Sequence, residues 1–239
     1  MNSNIYEEKY KIISEDACEF GMMKISAMFD RLHDVADESL KPVNLDRESL
    51  EKLDILWVLG EQSAEIIDLP RLDDIVTIKT WVGDNFFNFI PRFYQIEKDG
   101  EVLVKASSVW AIIDKSSREM LTPSKNNVYM EPIKTGNEIA ILETPKKLDL
   151  SSNFEYVVSK DNLDFNNHMN NAQYIEIIDS YNHFVRNGGK VFPRKIIARY
   201  SKEAFLGDVL IMREGILNSS RFYTVDSNRG NHLKLRIEY

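Results

Sequence analysis

The 239-residue sequence has one cysteine, four histidines and no apolar run longer than five residues. A single thiol, Cys18, cannot close an internal disulfide, so no covalent cross-link supports the fold. The longest apolar runs, Ile55–Leu59 and Val109–Ile113, fall far short of the about 18 residues that a membrane span needs, so none is expected. The first residues lack the basic and apolar regions of a signal peptide, and the expected location is the cytoplasm. The histidines and the cysteine lie far apart, which argues against a Cys/His zinc site. There is no G-x-S-x-G elbow, no G-x-x-x-x-G-K phosphate loop, no G-x-G-x-x-G and no H-E-x-x-H. Serine-hydrolase, NTPase, dinucleotide and zinc-protease chemistry therefore lose their main signals. Positive charge is also short: 30 Lys and Arg face 38 Asp and Glu, for a net charge of −8. A general nucleic-acid binder would need a basic face instead.

What is present suits a globular protein. With 43% hydrophobic and 28% charged residues, the chain can bury a full core in one large domain or two of roughly 120 residues. The charge is uneven, however. Residues 1–149 hold 18 basic and 28 acidic side chains, whereas residues 150–239 hold 12 and 10. An acidic partner would meet the second half.

The chain also resembles itself. Without gaps, Ser14, Asp16, Phe20 and Ala27 fall over Ser159, Asp161, Phe165 and Ala172. Each segment follows a short strand-like run, Tyr6–Ile13 or Phe154–Ser159, and leads into a helical pattern. In the first, Ile25, Met28, Phe29, Leu32, Val35 and Ala36 recur at helical spacing; in the second, Tyr174, Ile177, Ile178, Tyr181, Phe184 and Val185 do. Strands follow each helix: Leu56–Ile67, Asp74–Gly83, Phe86–Lys98 and Val102–Asp114, then Lys195–Ala204, Asp208–Leu217, Phe222–Ser227 and Leu233–Tyr239. Leu69–Val76 falls over Glu203–Leu210, and in both an Asp-bearing turn introduces a strand. The predicted class is α+β, a tandem or double hotdog in which each long helix packs on a curved antiparallel sheet. Residues 1–130 would form the N-terminal hotdog, 131–150 a linker marked by Pro132, Gly136 and Pro145, and 151–239 the C-terminal hotdog.

The halves differ most where loop meets helix. The second reads Asp164-Phe-Asn166-Asn-His168-Met-Asn170-Asn171-Ala-Gln-Tyr174; opposite it, the ungapped register places Glu19, Gly21, Met23, Ile25 and Ser26. An acid, amides and an imidazole therefore gather in one copy only. Asp164 can brace the turn or orient a neighbour. Asn166 offers N–H donors to a thioester carbonyl or its oxyanion. His168 can act as general base or acid near neutral pH. Asn170 and Asn171 suit a helix N-cap, and a loop of mere turns and caps would use the same residue types.

The string D-x-N-x-H-x-N-N-x-x-Y resembles the signature of the acyl-acyl carrier protein (ACP) thioesterases, a double-hotdog family. Trp57-Val-Leu59, Pro70, Thr80-Trp81, Arg92, Trp110 and Asp114 resemble its N-terminal pattern. Tyr200-Ser-Lys-Glu203-Ala204 with Gly207-Asp208 resembles the strand supplying a further catalytic carboxylate. The resemblance implies hydrolysis of fatty acyl-ACP to free fatty acid, with Asn166 on the carbonyl, His168 and Glu203 activating water, and Asp164 orienting Asn166 or His168. Plant members carry a cysteine directly after the glutamate. Here Ala204 stands in its place, which excludes a covalent cysteine at that position. Direct attack by water and an anhydride through Glu203 both remain open. No metal or organic cofactor is implied, because amides and acid–base groups suffice for a thioester.

The family's acyl chain enters the N-terminal domain, which here concentrates Met22, Met23, Met28, Phe29, Trp57, Trp81, Phe86, Phe87, Phe89 and Trp110. Met23, Met28 and Trp57, with Asn170 and Asn171, are the candidate substrate-binding residues. Docking of an acidic acyl carrier protein would use Arg186, Lys190, Arg194, Lys195, Arg199 and Lys202. Cys18 sits among acids, a poor setting for a thiolate; His33, His183 and His232 are expected to be structural or solvated. Acyl-CoA hydrolysis, enoyl-thioester hydration and non-catalytic acyl binding are the alternatives, and a tandem hotdog could be a monomer or a homodimer.

Overall fold

The structure, a computed structural model, describes residues 5–134, 149–150, 152–164 and 166–239. Most of the expected linker, with Gly136 and Pro145, lies outside them, as does Phe165. No helix among the described residues is long and apolar enough to cross a membrane.

The alternating sequences form ten strands among the described residues: β1 (Tyr6–Lys11), β2 (Ile55–Ile66), β3 (Ile75–Val82), β4 (Ile90–Lys98), β5 (Glu101–Asp114), β6 (Ser152–Val157), β7 (Lys195–Tyr200), β8 (Val209–Leu217), β9 (Ser220–Ser227) and β10 (Gly230–Glu238). They make one antiparallel sheet in the order β1-β3-β4-β5-β2-β7-β10-β9-β8-β6. Read from either edge inward, the order is the same for the two halves. The halves meet where β2 pairs with β7, with Glu61 opposite Arg199 and Glu65 opposite Lys195. Both pairs are ion-paired, at 2.8 and 3.4 Å.

Helix α1 (Ile25–Leu40) packs on β3 and against α3 (Asn171–Asn182), the buried face of α3 shares one core with β8, β9 and β10, and the short α2 (Arg47–Glu51) lies against β2. The predicted stripe of α1 is its buried face: Ile25, Met28, Phe29, Leu32, Val35 and Ala36 are all buried. Each large member of that stripe contributes about 1.5–3 kcal/mol over its exposed state. Pro42, just beyond α1, supports only a tighter turn, and Asn44 then takes a left-handed conformation at φ 55°. Asn170 caps α3 by accepting from the Ala172 amide at 2.8 Å.

Several expected boundaries move, and three show why. Helix α3 stops at Asn182, because His183 turns left-handed at φ 48° and Asp179 Oδ1 accepts the Phe184 amide at 2.6 Å. Phe184 and Val185 still pack in the core, but from the following loop, and Tyr181 is exposed. Strand β4 starts at Ile90, not Phe86, since Phe86–Phe89 close a tight loop with Phe87 at φ 53°. Strand β7 ends at Tyr200. The chain then leaves the sheet, held by Ser201 N–H to the His232 carbonyl at 3.0 Å, so Glu203 lies in a loop and not in a strand.

The repeat itself shifts by one residue. Both loops carry equivalent bridges, Ala17 with Met23 and Leu163 with Met169, then Met22 with Arg71 and His168 with Phe205. Met23 N–H donates to the Pro70 carbonyl at 2.7 Å, and Met169 N–H to the Ala204 carbonyl at 2.8 Å. The partner of His168 is therefore Met22, not Met23. Cys18 stands opposite Asp164, Phe20 opposite Asn166, and Leu69 opposite Glu203. The helix N-caps obey the same symmetry: Asn170 reaches Asp30 on α1 at 3.4 Å, and Lys24 reaches Glu176 on α3 at 3.3 Å.

Candidate active site

A cleft of about 300 Å³ runs between the second-half loop and the first-half helix and sheet. Asp164, Asn166, His168, Asn170, Asn171 and Glu203 all line it, as does Trp57. Met23 and Met28 do not: both are wholly buried in the main core, where they pack α1 onto the sheet. Of the ten aromatic and methionine residues singled out above, Trp57 and Trp110 reach the cleft wall, their rings edge-on with centroids 6.3 Å apart.

Asp164 acts on the loop backbone. Its Oδ1 accepts from the amides of Asn166 at 2.8 Å and His168 at 3.2 Å, while its own amide donates to the His168 carbonyl at 2.8 Å. Asn167 completes the tight turn in a left-handed conformation at φ 60°, one that Asn tolerates better than most residues. Asn166 thus presents its side-chain amide to the cleft with no protein partner among the described residues.

His168 Nδ1 lies 3.1 Å from Glu203 Oε1, the two side chains being 20% and 39% exposed. The imidazole also meets the Phe205 ring edge-on at 4.9 Å, which limits how it can swing. With Nδ1 turned toward the glutamate, Nε2 is the ring nitrogen left for water or substrate. His232 supports the loop that carries Glu203: it is fully buried, with Nδ1 2.9 Å from the Lys202 carbonyl and Nε2 2.7 Å from Ser227 Oγ.

Several residues at the site were not foreseen as functional. His33, expected to be structural or solvated, stands in the cleft wall. Burial pushes its pKa down to about 4, so the ring is neutral. Gln62 Nε2 donates to the Tyr200 hydroxyl at 2.7 Å, which leaves Gln62 Oε1 to accept from His33 Nε2 at 2.9 Å. Tyr200 in turn donates to the Asn171 carbonyl at 3.3 Å, joining α1, β2, β7 and the start of α3. Asp30 faces the same cleft, and its burial raises its pKa to about 6 against the opposing bond from Asn170. Arg92 is buried in the wall with Nη1 bonded to Ser39 Oγ at 2.8 Å and Thr80 Oγ1 at 3.2 Å, and desolvation lowers its pKa. Arg118, from the first half, donates to Glu203 Oε1. Cys18 is partly buried on the opposite pseudo-site, and His183 caps α3.

Comparison with known proteins bears on this geometry. Residues 3–129 match the acyl-ACP thioesterase N-terminal domain, and residues 145–234 match the acyl-ACP thioesterase C-terminal domain. The acyl-[acyl-carrier-protein] hydrolase FATB2, chloroplastic, of Cuphea viscosissima is 25% identical over 187 residues, covering 72% of this chain and 45% of that protein. The palmitoyl-acyl carrier protein thioesterase, chloroplastic, of Arabidopsis thaliana is 24% identical over the same shares. The chain thus spans about half the length of these relatives. In fold, it is similar to an acyl-ACP thioesterase from Bacteroides thetaiotaomicron (TM-score 0.79, 18% identity, covering 98% of this chain and 97% of the other). It is similar also to the 12:0-ACP thioesterase from Umbellularia californica (TM-score 0.78, 18% identity, covering 98% and 96%). These likenesses establish the double-hotdog fold.

Proposed function

The chain belongs to the acyl-ACP thioesterase family, and from that premise we propose that it hydrolyses the thioester of a fatty acyl chain on acyl carrier protein, releasing free fatty acid and the carrier's thiol. The observation that carries this is the contact of His168 Nδ1 with Glu203 in one cleft with the Asn166 side-chain amide, which has no protein partner among the described residues. The acyl chain would run along Trp57 and Trp110, where the wall is apolar and aromatic.

The chemistry follows from the placement. The thioester carbonyl accepts from the Asn166 amide. His168, steadied by Glu203, takes a proton from water through Nε2 as the oxygen attacks the carbonyl carbon. The negative charge moves to the carbonyl oxygen, where Asn166 stabilises it. Collapse expels the thiolate, which receives the proton from His168. Because Glu203 Oε1 already faces both Arg118 and His168, this arrangement favours attack by water over an anhydride through the glutamate. For the carrier, the basic group of the second half is narrower than its count suggests. Among the described residues, Lys195 and Arg199 are ion-paired with Glu65 and Glu61, which leaves Arg186, Lys190, Arg194 and Lys202 as the docking cations, Arg194 and Lys202 being steadied by the carbonyls of Ile67 and Arg229.

The test is free-thiol release from matched acyl-ACP and acyl-CoA, from about eight to eighteen carbons to cover drug-sized and longer apolar ligands. Wild type should turn over acyl-ACP faster, and His168→Ala should lose about 10²- to 10⁴-fold, the span of general acid–base catalysis. Preference for acyl-CoA would change the partner. Binding without turnover, or full activity in His168→Ala, would overturn the assignment.

A further inference from the structure

Beyond β5 the chain makes a tight turn around Asp114. Its Oδ1 accepts from Ser116 N at 3.0 Å, Ser116 Oγ at 2.7 Å and Ser117 N at 2.7 Å, while Arg118 N–H donates to the Asp114 carbonyl at 2.9 Å. These bonds, led by that from the Ser117 amide, lower the Asp114 pKa to about 2, so the turn stays braced at neutral pH. The turn holds Arg118 in a left-handed conformation at φ 61°, which is strained for a residue with a Cβ. Such strain persists where the surroundings over-determine it. Here the result is a guanidinium that crosses from the first half to the second and donates to Glu203 Oε1, the same oxygen that lies 3.1 Å from His168 Nδ1.

Glu203 needs such an anchor. It sits in a loop, 39% exposed, on a side chain with three rotatable bonds. Left alone it would spread over several rotamers. We propose that Arg118 is a positioning residue that clamps the Glu203 carboxylate against His168, so that the first half completes the catalytic site of the second. The inference rests on the thioesterase reading above. An ordinary surface ion pair would instead add little to stability and leave turnover untouched.

The experiment is steady-state kinetics on the full chain with its preferred acyl thioester. Arg118→Gln should lower kcat about 10- to 100-fold, the scale of a catalytic group displaced by an ångström, with KM changed by less than about twofold. Arg118→Lys should recover only part of this, because a point charge lacks the guanidinium's fork. Low millimolar guanidinium ion should partly rescue Arg118→Ala. On a Glu203→Gln background, Arg118→Gln should add no further loss, since both act through one contact. A kcat within about twofold of wild type, or losses that multiply in the double variant, would overturn the clamp. A wild type inert toward every acyl thioester refutes the thioesterase reading separately. The clamp is then decided by the ¹⁵N signals of the His168 ring, which move in Arg118→Gln if it exists and stay in place if it does not.

Discussion

Asp164 separates two roles that the signature string leaves together: a carboxylate that does chemistry, and a carboxylate that holds a loop. Its Oδ1 accepts from two backbone amides, at 2.8 and 3.2 Å, and those amides belong to Asn166 and His168. Hydrogen bonds to a charged group contribute about 1.5–3 kcal/mol each. Because the residue is only half-buried, the lower end applies, giving about 3 kcal/mol for the pair. Asp164→Ala removes both bonds. At about 1.4 kcal/mol per tenfold, the loop then keeps its working geometry in roughly one molecule in a hundred, and kcat should fall about 10²-fold or slightly more. Asp164→Asn keeps an oxygen in the same place and loses only the charge, about half of each bond's strength. Its kcat should fall no more than about tenfold. The assay is thiol release at saturating acyl thioester, with thermal unfolding measured in parallel to exclude global loss of fold. If Asp164→Asn is as inactive as Asp164→Ala while both remain folded, the carboxylate itself takes part in the reaction and the brace is the wrong account.

Two further predictions concern stability. Burial raises the Asp30 pKa to about 6, above its unfolded value of about 3.9, so its folded form binds the proton more tightly and the residue destabilises the fold increasingly as pH rises from about 4 to 6. Asp30→Asn should therefore gain stability at pH 8, by at most about 3 kcal/mol and less where water still reaches the carboxylate, and gain almost nothing at pH 3.5; urea unfolding with an equal gain at both pH values would refute the assignment. Gly189 has φ +84°, and a Cβ there would lie 2.6 Å from the buried Met22 Sδ. Gly189→Ala should lose about 1–3 kcal/mol in the same measurement, and an unchanged midpoint would show that Met22 yields freely.

The elements were legible because their periods differ. The α1 stripe recurs every three to four residues and the strands alternate, so each predicted element exists. Boundaries failed where one residue's backbone decides them: Phe87 and His183, both left-handed, carry no periodic signal. The repeat register slipped because four coincident identities outweighed a one-residue offset, which only the paired bridges of Met22 and His168 fix. Met23 and Met28 carry the chemistry of an acyl-tunnel wall, yet composition cannot tell wall from core, and the fold places them in the core. His33 has no neighbour in sequence that announces a partner; Gln62 comes to it from β2. Arg118 was hidden for the same reason, since Glu203 lies 85 residues away along the chain.

The two site loops share a backbone and differ at the four positions that Asp164, Asn166, His168 and Glu203 occupy, and burial decides which half can hold a reaction centre. The loops are fixed by matching main-chain bonds, from Met23 to Pro70 and from Met169 to Ala204, so either could in principle carry an imidazole and a carboxylate. In the first half, the equivalent positions are Met22 and Leu69, 0% and 1% exposed, packed against Gly189 and the main core. An ionisable pair sealed that deeply would lose several kcal/mol of hydration per charge. In the second half, His168 keeps 20% and Glu203 39% of their surfaces exposed, so water can both solvate the pair and serve as the nucleophile. The apolar fill of one pseudo-site and the solvent-exposed pair of the other thus follow from the same constraint. A solvent-reached pair fits the junction where the cleft opens, and the cleft opens where the second-half loop faces Trp57 and Trp110 of the first.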